Sequence, residues 1–385
     1  MKDPVFPVFA ALGTALVLLP LTWHARTGNI AMVLLIIWIA LANFIQFVNT
    51  VIWYSNVDNK APVWCDISTR LYLMSIIAVP ACNLCIAVRL ESIASTREVT
   101  QTASAKKRQK IFELAMGILL PLVYVALAVV WQGHRFDIYE GAGCYSATYI
   151  SWPWILLSPV PILLVSCTSL VYSILAFRWF SLRRAQFMAV LASSGTNLNK
   201  SRYLRMMAFC TIDMLITIPF TIGNLASQLR DFHGELQPYT SWADVHYGWG
   251  AVAQIPAAAF DTPSTESAFS RFDLVRWSAP IAAFIFFAIF GLTQDAVSEY
   301  RRILRGLKNA ASLPKTKTRS IVRQPQDLSN THLSPVDSER GYELHTKAFS
   351  TPPASAQLPH LGSYAWSGHD DEKEIQVTVE RSVAY

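Results

Sequence analysis

The six cysteines are the side chains of this sequence with the clearest capacity for covalent chemistry. Four of them lie within long apolar stretches: Cys82, Cys85, Cys167 and Cys210. Cys65 and Cys144 lie at or beyond the ends of such stretches. If both face an oxidising compartment, a disulfide between them is expected, and two unpaired thiols are the alternative.

The spacing of Cys82 and Cys85 is superficially that of a metal or redox motif. Such a motif needs further ligands, and neither a second cysteine pair nor nearby histidines accompany it. Small residues also pack well inside membrane helices. We therefore predict that both cysteines are packing residues, and we expect neither a metal site nor a cofactor.

An enzyme would need paired carboxylates, a histidine cluster, or a nucleophile with its base in a shared pocket. The sequence offers no such set, which argues against an enzyme. His134, Arg135, Asp137 and Glu140 are concentrated in one connecting segment. Solvated charge is their ordinary explanation, and a lid over a binding cavity is the functional alternative.

Asp213 lies inside an apolar stretch and Arg70 at the outer start of another, where charge is costly and therefore informative. Arg70 follows Asp66 by about one helical turn, so it either faces a ligand cavity or extends to the membrane surface. Asp213 is either a polar lock that changes partner on activation or a static bond to a neighbouring helix.

The composition places these residues in a lipid bilayer, because 52% of the chain is hydrophobic and only 15% is charged. The net charge of +6 belongs to Lys and Arg residues beside apolar stretches, which indicates contact with membrane lipid and not with nucleic acid. Seven stretches are nearly uncharged: Val5–Trp23, Ile30–Trp53, Leu71–Val88, Leu114–Gln132, Trp154–Phe177, Met206–Leu225 and Trp277–Gln294. Their length predicts an all-α bundle of seven transmembrane helices.

The charges of the connections predict the orientation of the bundle. The loops after the third and fifth stretches are basic and should be cytoplasmic, whereas the loop after the sixth is net acidic and should be outside. The amino terminus is then outside, and both Cys65 and Cys144 face the oxidising side. We expect a multi-pass protein of the plasma membrane.

Beyond the last stretch, apolar residues recur at helical spacing among basic ones, which predicts a short helix at the membrane surface. The chain then becomes rich in Ser, Thr, Pro and charge, and such a segment does not bury enough apolar surface to fold alone. We therefore expect a seven-transmembrane domain with a short cytoplasmic helix at residues 1–308 and a disordered cytoplasmic tail at residues 309–385.

Four strings carry a family resemblance. They are LPLTWHARTGN at residues 19–29, WCDI at 64–67 with Arg70, GHRFDIYE at 133–140 leading to GCY at 143–145, and FFAIFGLT at 286–293 with Tyr300. Together they resemble the fungal lipopeptide mating-pheromone receptors of the a-factor type, which are class D G-protein-coupled receptors. The resemblance covers about the first 305 residues.

The resemblance implies a receptor that binds a farnesylated peptide pheromone and activates a heterotrimeric G protein. Candidate ligand contacts are Asp66, Arg70, His134, Arg135, Glu140 and Tyr145. Candidate G-protein contacts are Arg89, Lys200, Arg202 and Arg205, although positive-inside topology alone would also explain the last three. The sequence leaves open whether the chain forms a homodimer.

Two other functions are compatible with seven spans. A transporter or membrane enzyme would bring ionisable groups together near the middle of the membrane, and the sequence has almost none there. A receptor of the same architecture with another ligand is the second alternative.

Overall fold

The computed structural model describes residues 3–95, 103–182, 200–231, 236–260 and 266–311. The helices of these residues, in chain order, are α1 (Val5–Leu18), α2 (Leu21–Arg26), α3 (Ile30–Ile52), α4 (Pro62–Ala94), α5 (Ala103–Leu114), α6 (Leu120–Leu127), α7 (Trp152–Leu157), α8 (Pro159–Leu182), α9 (Lys200–Asp231), α10 (Trp242–Val245), α11 (Glu266–Phe290) and α12 (Gln294–Ala311). A π-helical turn, Ala115–Leu119, joins α5 to α6, and 3-10 turns follow α6 at Ala128–Trp131 and precede α11 at Ala257–Phe260.

Seven helical segments of the described chain are long and apolar enough to cross a membrane, which confirms the seven-helix prediction. They are Val5–Arg26, Ile30–Ile52, Pro62–Ala94, Ala103–Trp131, Trp152–Leu182, Ser201–Arg230 and Phe272–Phe290. The third was predicted as Leu71–Val88 and is longer at both ends, because helical hydrogen bonding continues through polar residues such as Asp66 and Glu91 that a hydropathy criterion leaves out.

Helix α4 is the centre of the bundle, since it packs against α3, α8 and α9 and is buried along most of its length. Cys82 and Cys85 are buried on it in the largest apolar core. This position agrees with their predicted packing role. Membrane helices associate through close packing and polar contacts, so small residues at a central helix serve the assembly directly.

The fourth span contains a local break in the α-helical pattern that connects it to the second span. Pro121 has no backbone N–H, so the carbonyl of Gly117, four residues earlier, loses its usual helical donor. Trp38 of α3 donates its indole Nε1–H to that carbonyl at 2.9 Å, and the contact is buried. The missing side chain of Gly117 allows the approach, because a Cβ there would lie 2.6 Å from Leu34 Cδ1.

A small sheet covers the end of the bundle that carries Cys65 and Cys144, which we call the outer end. Strands β1 (Phe136–Tyr139) and β2 (Gly143–Tyr145) form an antiparallel hairpin, and β3 (Val252–Ile255) pairs with β1 in parallel. The sequence did not predict these strands, because three or four residues are too few to show a period of two.

At the opposite, inner end, α12 follows the seventh span and confirms that the amphipathic pattern forms a helix. Arg301, Arg302 and Arg305 are exposed on it. The helix ends at Ala311, so the first residues of the predicted tail are helical. The rest of that tail lies outside the described residues and stays a prediction.

We predict that Trp38→Phe destabilises the bundle by about 1–3 kcal/mol, because it removes the indole N–H that donates to the buried Gly117 carbonyl. The thermal denaturation midpoint of the purified protein in detergent measures this. The control is Trp152→Phe, at a tryptophan that is 60% exposed.

A Pro121→Ala background sharpens the test, because the substituted residue supplies a backbone N–H near the same carbonyl. Trp38→Phe should cost less there than in the wild type. Equal losses in both backgrounds would show that the indole stabilises the bundle by packing alone.

Candidate functional site

The outer hairpin is attached covalently to the bundle. Cys65, in the first turn of α4, and Cys144, in β2, form a disulfide with their Cα atoms 5.4 Å apart. Both are buried in a small outer core with Trp53, Phe136 and Ile138. The bond fixes the second outer loop over the mouth of the bundle.

The hairpin also lies directly on α3. Gly143 has a φ of +81°, and a Cβ there would lie 2.6 Å from Asn49 Cβ. Asn49 donates from Nδ2 to the Cys144 carbonyl at 3.2 Å and accepts from Trp64 Nε1 at 2.7 Å. Only glycine combines this backbone conformation with such close contact.

The predicted ligand residues Asp66 and Arg135 form an ion pair between α4 and the second outer loop. Arg135 donates from Nε and Nη2 to the two Asp66 carboxylate oxygens at 2.9 and 2.5 Å. The side chain of Asp66 is 41% exposed and that of Arg135 is 38% exposed, so solvent screens the pair and it adds little stability. The hydrogen bond to Asp66 raises the pKa of Arg135.

His134 and Glu140 also have partners in this region. His134 Nε2 lies 2.5 Å from Asp137 Oδ1, and burial raises the pKa of Asp137 although the histidine contact opposes that shift. Glu140 accepts from the Ala257 backbone N–H at 2.9 Å and so links the end of β1 to the turn that precedes α11. In this conformation these side chains organise the outer loops.

Tyr145 is the predicted ligand residue that lies deepest. Its hydroxyl donates to Gln46 Oε1 at 2.8 Å, and burial raises the pKa of that hydroxyl. Its ring centroid lies 4.9 Å from that of Phe272 and 5.9 Å from that of Tyr72. Arg70 is half-buried and interacts electrostatically with Asp66, and its Nη1 has no hydrogen-bond partner among the described residues.

Sequence reasoning missed Arg276, because it was counted with the outer loop before a seventh span that was taken to begin at Trp277. The span begins at Phe272, and Arg276 is 0% exposed within it. Its Cζ lies 3.8 Å from the centroid of the Phe6 ring. A helix that continues on both sides of Arg276 was the signal available in the sequence. Such a helix does not show which way the arginine side chain points.

At the inner end, the predicted coupling residue Arg89 lies on α4 and approaches α5 and the start of α3. Its Nη1 is 4.0 Å from Glu113 Oε1 and 3.4 Å from Asn29 Oδ1. Glu113 is 3% exposed and also accepts from the Ala31 backbone N–H at 3.3 Å. One carboxylate therefore contacts the second and third spans from the fourth.

The other predicted coupling residues differ in exposure. Arg202 is 8% exposed, and its Cζ lies 4.2 Å from the centroid of the Trp23 ring, which belongs to α2. Arg205 donates from Nη1 to Ser201 Oγ at 2.7 Å. The side chain of Lys200 lies outside the part of the chain that the structure describes. Arg202 thus joins the first inner connection to the start of α9 and does not face the surface.

Asp213 has a defined partner in the core. Asn83 of α4 donates from Nδ2 to Asp213 Oδ2 at 2.6 Å, which links the third span to the sixth. The two alternatives for this contact, a static bond and a lock that changes partner on activation, both stay predictions. The described residues contain no group of three or more His, Cys, Asp or Glu that could hold a metal ion.

Comparison with known proteins decides the family of this bundle. Residues 5–311 match the STE3 pheromone A receptor family, a range that contains all seven spans. The chain belongs to this family. The predicted resemblance to fungal pheromone receptors is confirmed, and the family is one of receptors and not of enzymes.

Individual pheromone receptors align over most of the chain. It is 43% identical to Pheromone receptor 1 of Ustilago hordei over 308 residues, which are 80% of this chain and 85% of that protein. Identity to Pheromone receptor 1 of Mycosarcoma maydis is 41% over 302 residues, 78% of this chain and 83% of that one. The Pheromone a factor receptor of Saccharomyces cerevisiae is 25% identical over 301 residues, 75% of this chain and 59% of that receptor.

We predict that Gly143→Ala lowers the stability of this receptor family member more than Gly248→Ala does. Both glycines have positive φ, +81° and +76°, so both variants incur a backbone cost of about 1–2 kcal/mol. Only the alanine at 143 also meets other atoms, whereas nothing lies within 4 Å of the position at 248. That overpacking should add about 1–3 kcal/mol, measured as a lower thermal midpoint in detergent. Equal midpoints for the two variants would contradict the close approach of the hairpin to α3.

Proposed function

We propose that this protein is a plasma-membrane receptor for a farnesylated peptide mating pheromone and that it activates a heterotrimeric G protein. The family match over residues 5–311 carries the proposal, because it includes both the outer loops and the inner ends of every span. The curated relatives are named as pheromone receptors and extend over most of the chain.

The outer end supports recognition of a peptide. Asp66 and Arg135 form an ion pair that is partly open to solvent, so a charged or polar group of the peptide replaces one partner of the pair at low cost in free energy. The Tyr145, Tyr72 and Phe272 rings lie beneath the hairpin and offer apolar surface. A prenyl chain prefers such an apolar surface or the bilayer itself. Exposed apolar side chains of the bundle, such as Leu164 and Phe177, contact the membrane lipid.

The inner end supports a change of conformation. Arg89 with Glu113 and Arg202 with Trp23 each join two different spans, so these contacts hold the inner ends of the helices together. A ligand that binds better to a bundle in which they separate shifts the population toward it. Arg89, Lys200, Arg202 and Arg205 then form a basic surface for the G protein. Homodimer formation stays a prediction.

A reporter assay in fungal mating-response cells that lack their own receptor tests the function. With this chain expressed, synthetic farnesylated peptides should give a dose-dependent signal, and the same peptides without the prenyl group should be at least about 100-fold weaker, given the apolar area that the prenyl chain buries. Equal potency of prenylated and unprenylated peptides would contradict the ligand class. Silence across a broad panel, with surface expression confirmed, would contradict the ligand or the coupling partner.

We predict that Glu113→Gln raises the signal without pheromone by several-fold. Glutamine retains a hydrogen-bonding side chain of similar size but removes the charge that holds Arg89, so the closed inner end becomes less populated. The measurement is the basal reporter signal, normalised to receptor at the cell surface.

Asp58→Asn is the charge-matched control for this variant, because Asp58 is an exposed outer carboxylate whose nearest cation is Lys60. Its basal signal should equal that of the wild type. An unchanged basal signal in Glu113→Gln at normal surface level would show that the Arg89 contact does not restrain activation.

A further inference from the structure

Arg276 is an arginine in the outer half of the bundle with unused hydrogen-bonding capacity. It lies about one turn inside the seventh span, on α11, and is 0% exposed. Among the described residues, its Nε and Nη1 atoms have no hydrogen-bond partner. Buried polar groups are almost always paired, so a fully buried guanidinium with two such nitrogens needs an explanation.

The surroundings of Arg276 compensate its charge only in part, with the Asp273 and Asp3 carboxylates as nearby anions. Nη2 donates to Thr50 Oγ1 at 3.3 Å, and Nη1 lies 3.6 Å from Asp273 Oδ1, which is beyond hydrogen-bonding distance. The Phe6 ring stabilises the cation through its face, with 3.8 Å between Cζ and the ring centroid. An aromatic face offsets charge but accepts none of the in-plane N–H groups.

The residues above Arg276 belong to the outer site. Its guanidinium lies near the side chains of Tyr145 and Tyr72, and Tyr145 is the residue of β2 that hydrogen-bonds to Gln46. Phe272, one helical turn before Arg276, contacts both Tyr145 and Tyr139, with ring centroids 4.9 and 4.8 Å apart, respectively. Arg276 therefore lies next to the aromatic residues that connect the hairpin to the seventh span.

We propose that Arg276 is a ligand-binding residue that donates to a carboxylate or carbonyl oxygen of the peptide part of the pheromone. The inference rests on the proposed function and adds the group that the ligand must present. A guanidinium has five N–H donors and no acceptor, so its partner must be an oxygen acceptor, and two parallel donors suit a carboxylate or an amide oxygen.

Binding at Arg276 also explains how a ligand favours a different conformation. Arg276 is fully buried and the neighbouring rings of Tyr145 and Phe272 contact each other, so we expect an oxygen to reach it only after those rings move. The ligand then satisfies donors that have no hydrogen bond in the closed bundle, and this difference in affinity stabilises the open arrangement. The tyrosine contacts of the hairpin couple ligand entry to the seventh span.

The experiment compares Arg276→Gln and Arg276→Lys with the wild type in the reporter assay. Arg276→Gln should raise the half-maximal concentration of an active farnesylated peptide about 10- to 100-fold, the loss expected for hydrogen bonds from a charged donor. Arg276→Lys retains one charged donor group and should show a smaller rise. Arg230→Gln, which removes an exposed arginine at the outer end of α9, should change it less than about 2-fold.

A ligand-side series separates direct contact from a structural role. In one set of peptides each side chain is replaced in turn by alanine. In a second set the terminal carboxyl is blocked, and in a third each backbone carbonyl becomes a thioamide, which is a weaker acceptor. One of these peptide modifications should weaken the response of the wild-type receptor. The same modification should not weaken the response of the Arg276→Gln receptor any further. If the folded yield of that variant is low, the same comparison is made with Arg276→Lys.

The outcomes distinguish the two proposals. The wild type could respond while the effects of Arg276→Gln and of every peptide modification on the half-maximal concentration simply add. That result would show that Arg276 only supports the fold, and it would overturn this inference alone. A wild type at normal surface level that responds to no farnesylated peptide would overturn the proposed function and this inference with it.

Discussion

The membrane interior offers no water to backbone N–H and C=O groups, and this constraint governs the rest of the structure. Each span therefore satisfies its backbone within a helix, and any interruption needs a partner from a neighbour. Pro121 interrupts the fourth span, and the Trp38 indole satisfies the carbonyl of Gly117. A defect in one helix thus becomes a specific contact with another, and it helps to define which helices lie side by side.

The same constraint explains the arrangement of polar side chains. Asn83 with Asp213 links the third span to the sixth, and Glu113 with Arg89 links the fourth to the third. Polar contacts of this kind contribute to helix association where the hydrophobic effect between helices is weak. Each of these contacts has a defined partner, so its loss would change the contact between two helices. Arg276 differs from these residues, because its Nε and Nη1 atoms have no hydrogen-bond partner among the described residues.

The sequence by itself determined the membrane class, the number of spans and the family. Long uncharged stretches suffice for the first two, since length and hydropathy decide whether a helix crosses a bilayer. The short strings from residue 19 to Tyr300 indicated the family. The sequence also indicated a disulfide between Cys65 and Cys144, because orientation leaves only these two cysteines on the oxidising side. Span ends were less accurate, because Asp66 and Arg276 lie inside helices although their charge suggested loops.

Only the tertiary structure decided which side chains meet. Asp66 pairs with Arg135 across 69 positions of sequence, and Arg276 reaches Thr50 across 226. Local pattern contains no information about such pairs, because a helix presents side chains in every direction and its rotation depends on its neighbours. For the same reason Arg202, a surface candidate from its charge, lies buried against Trp23. The disulfide and α3 hold the hairpin at the outer end, and β3 pairs with β1 although it comes much later in the chain.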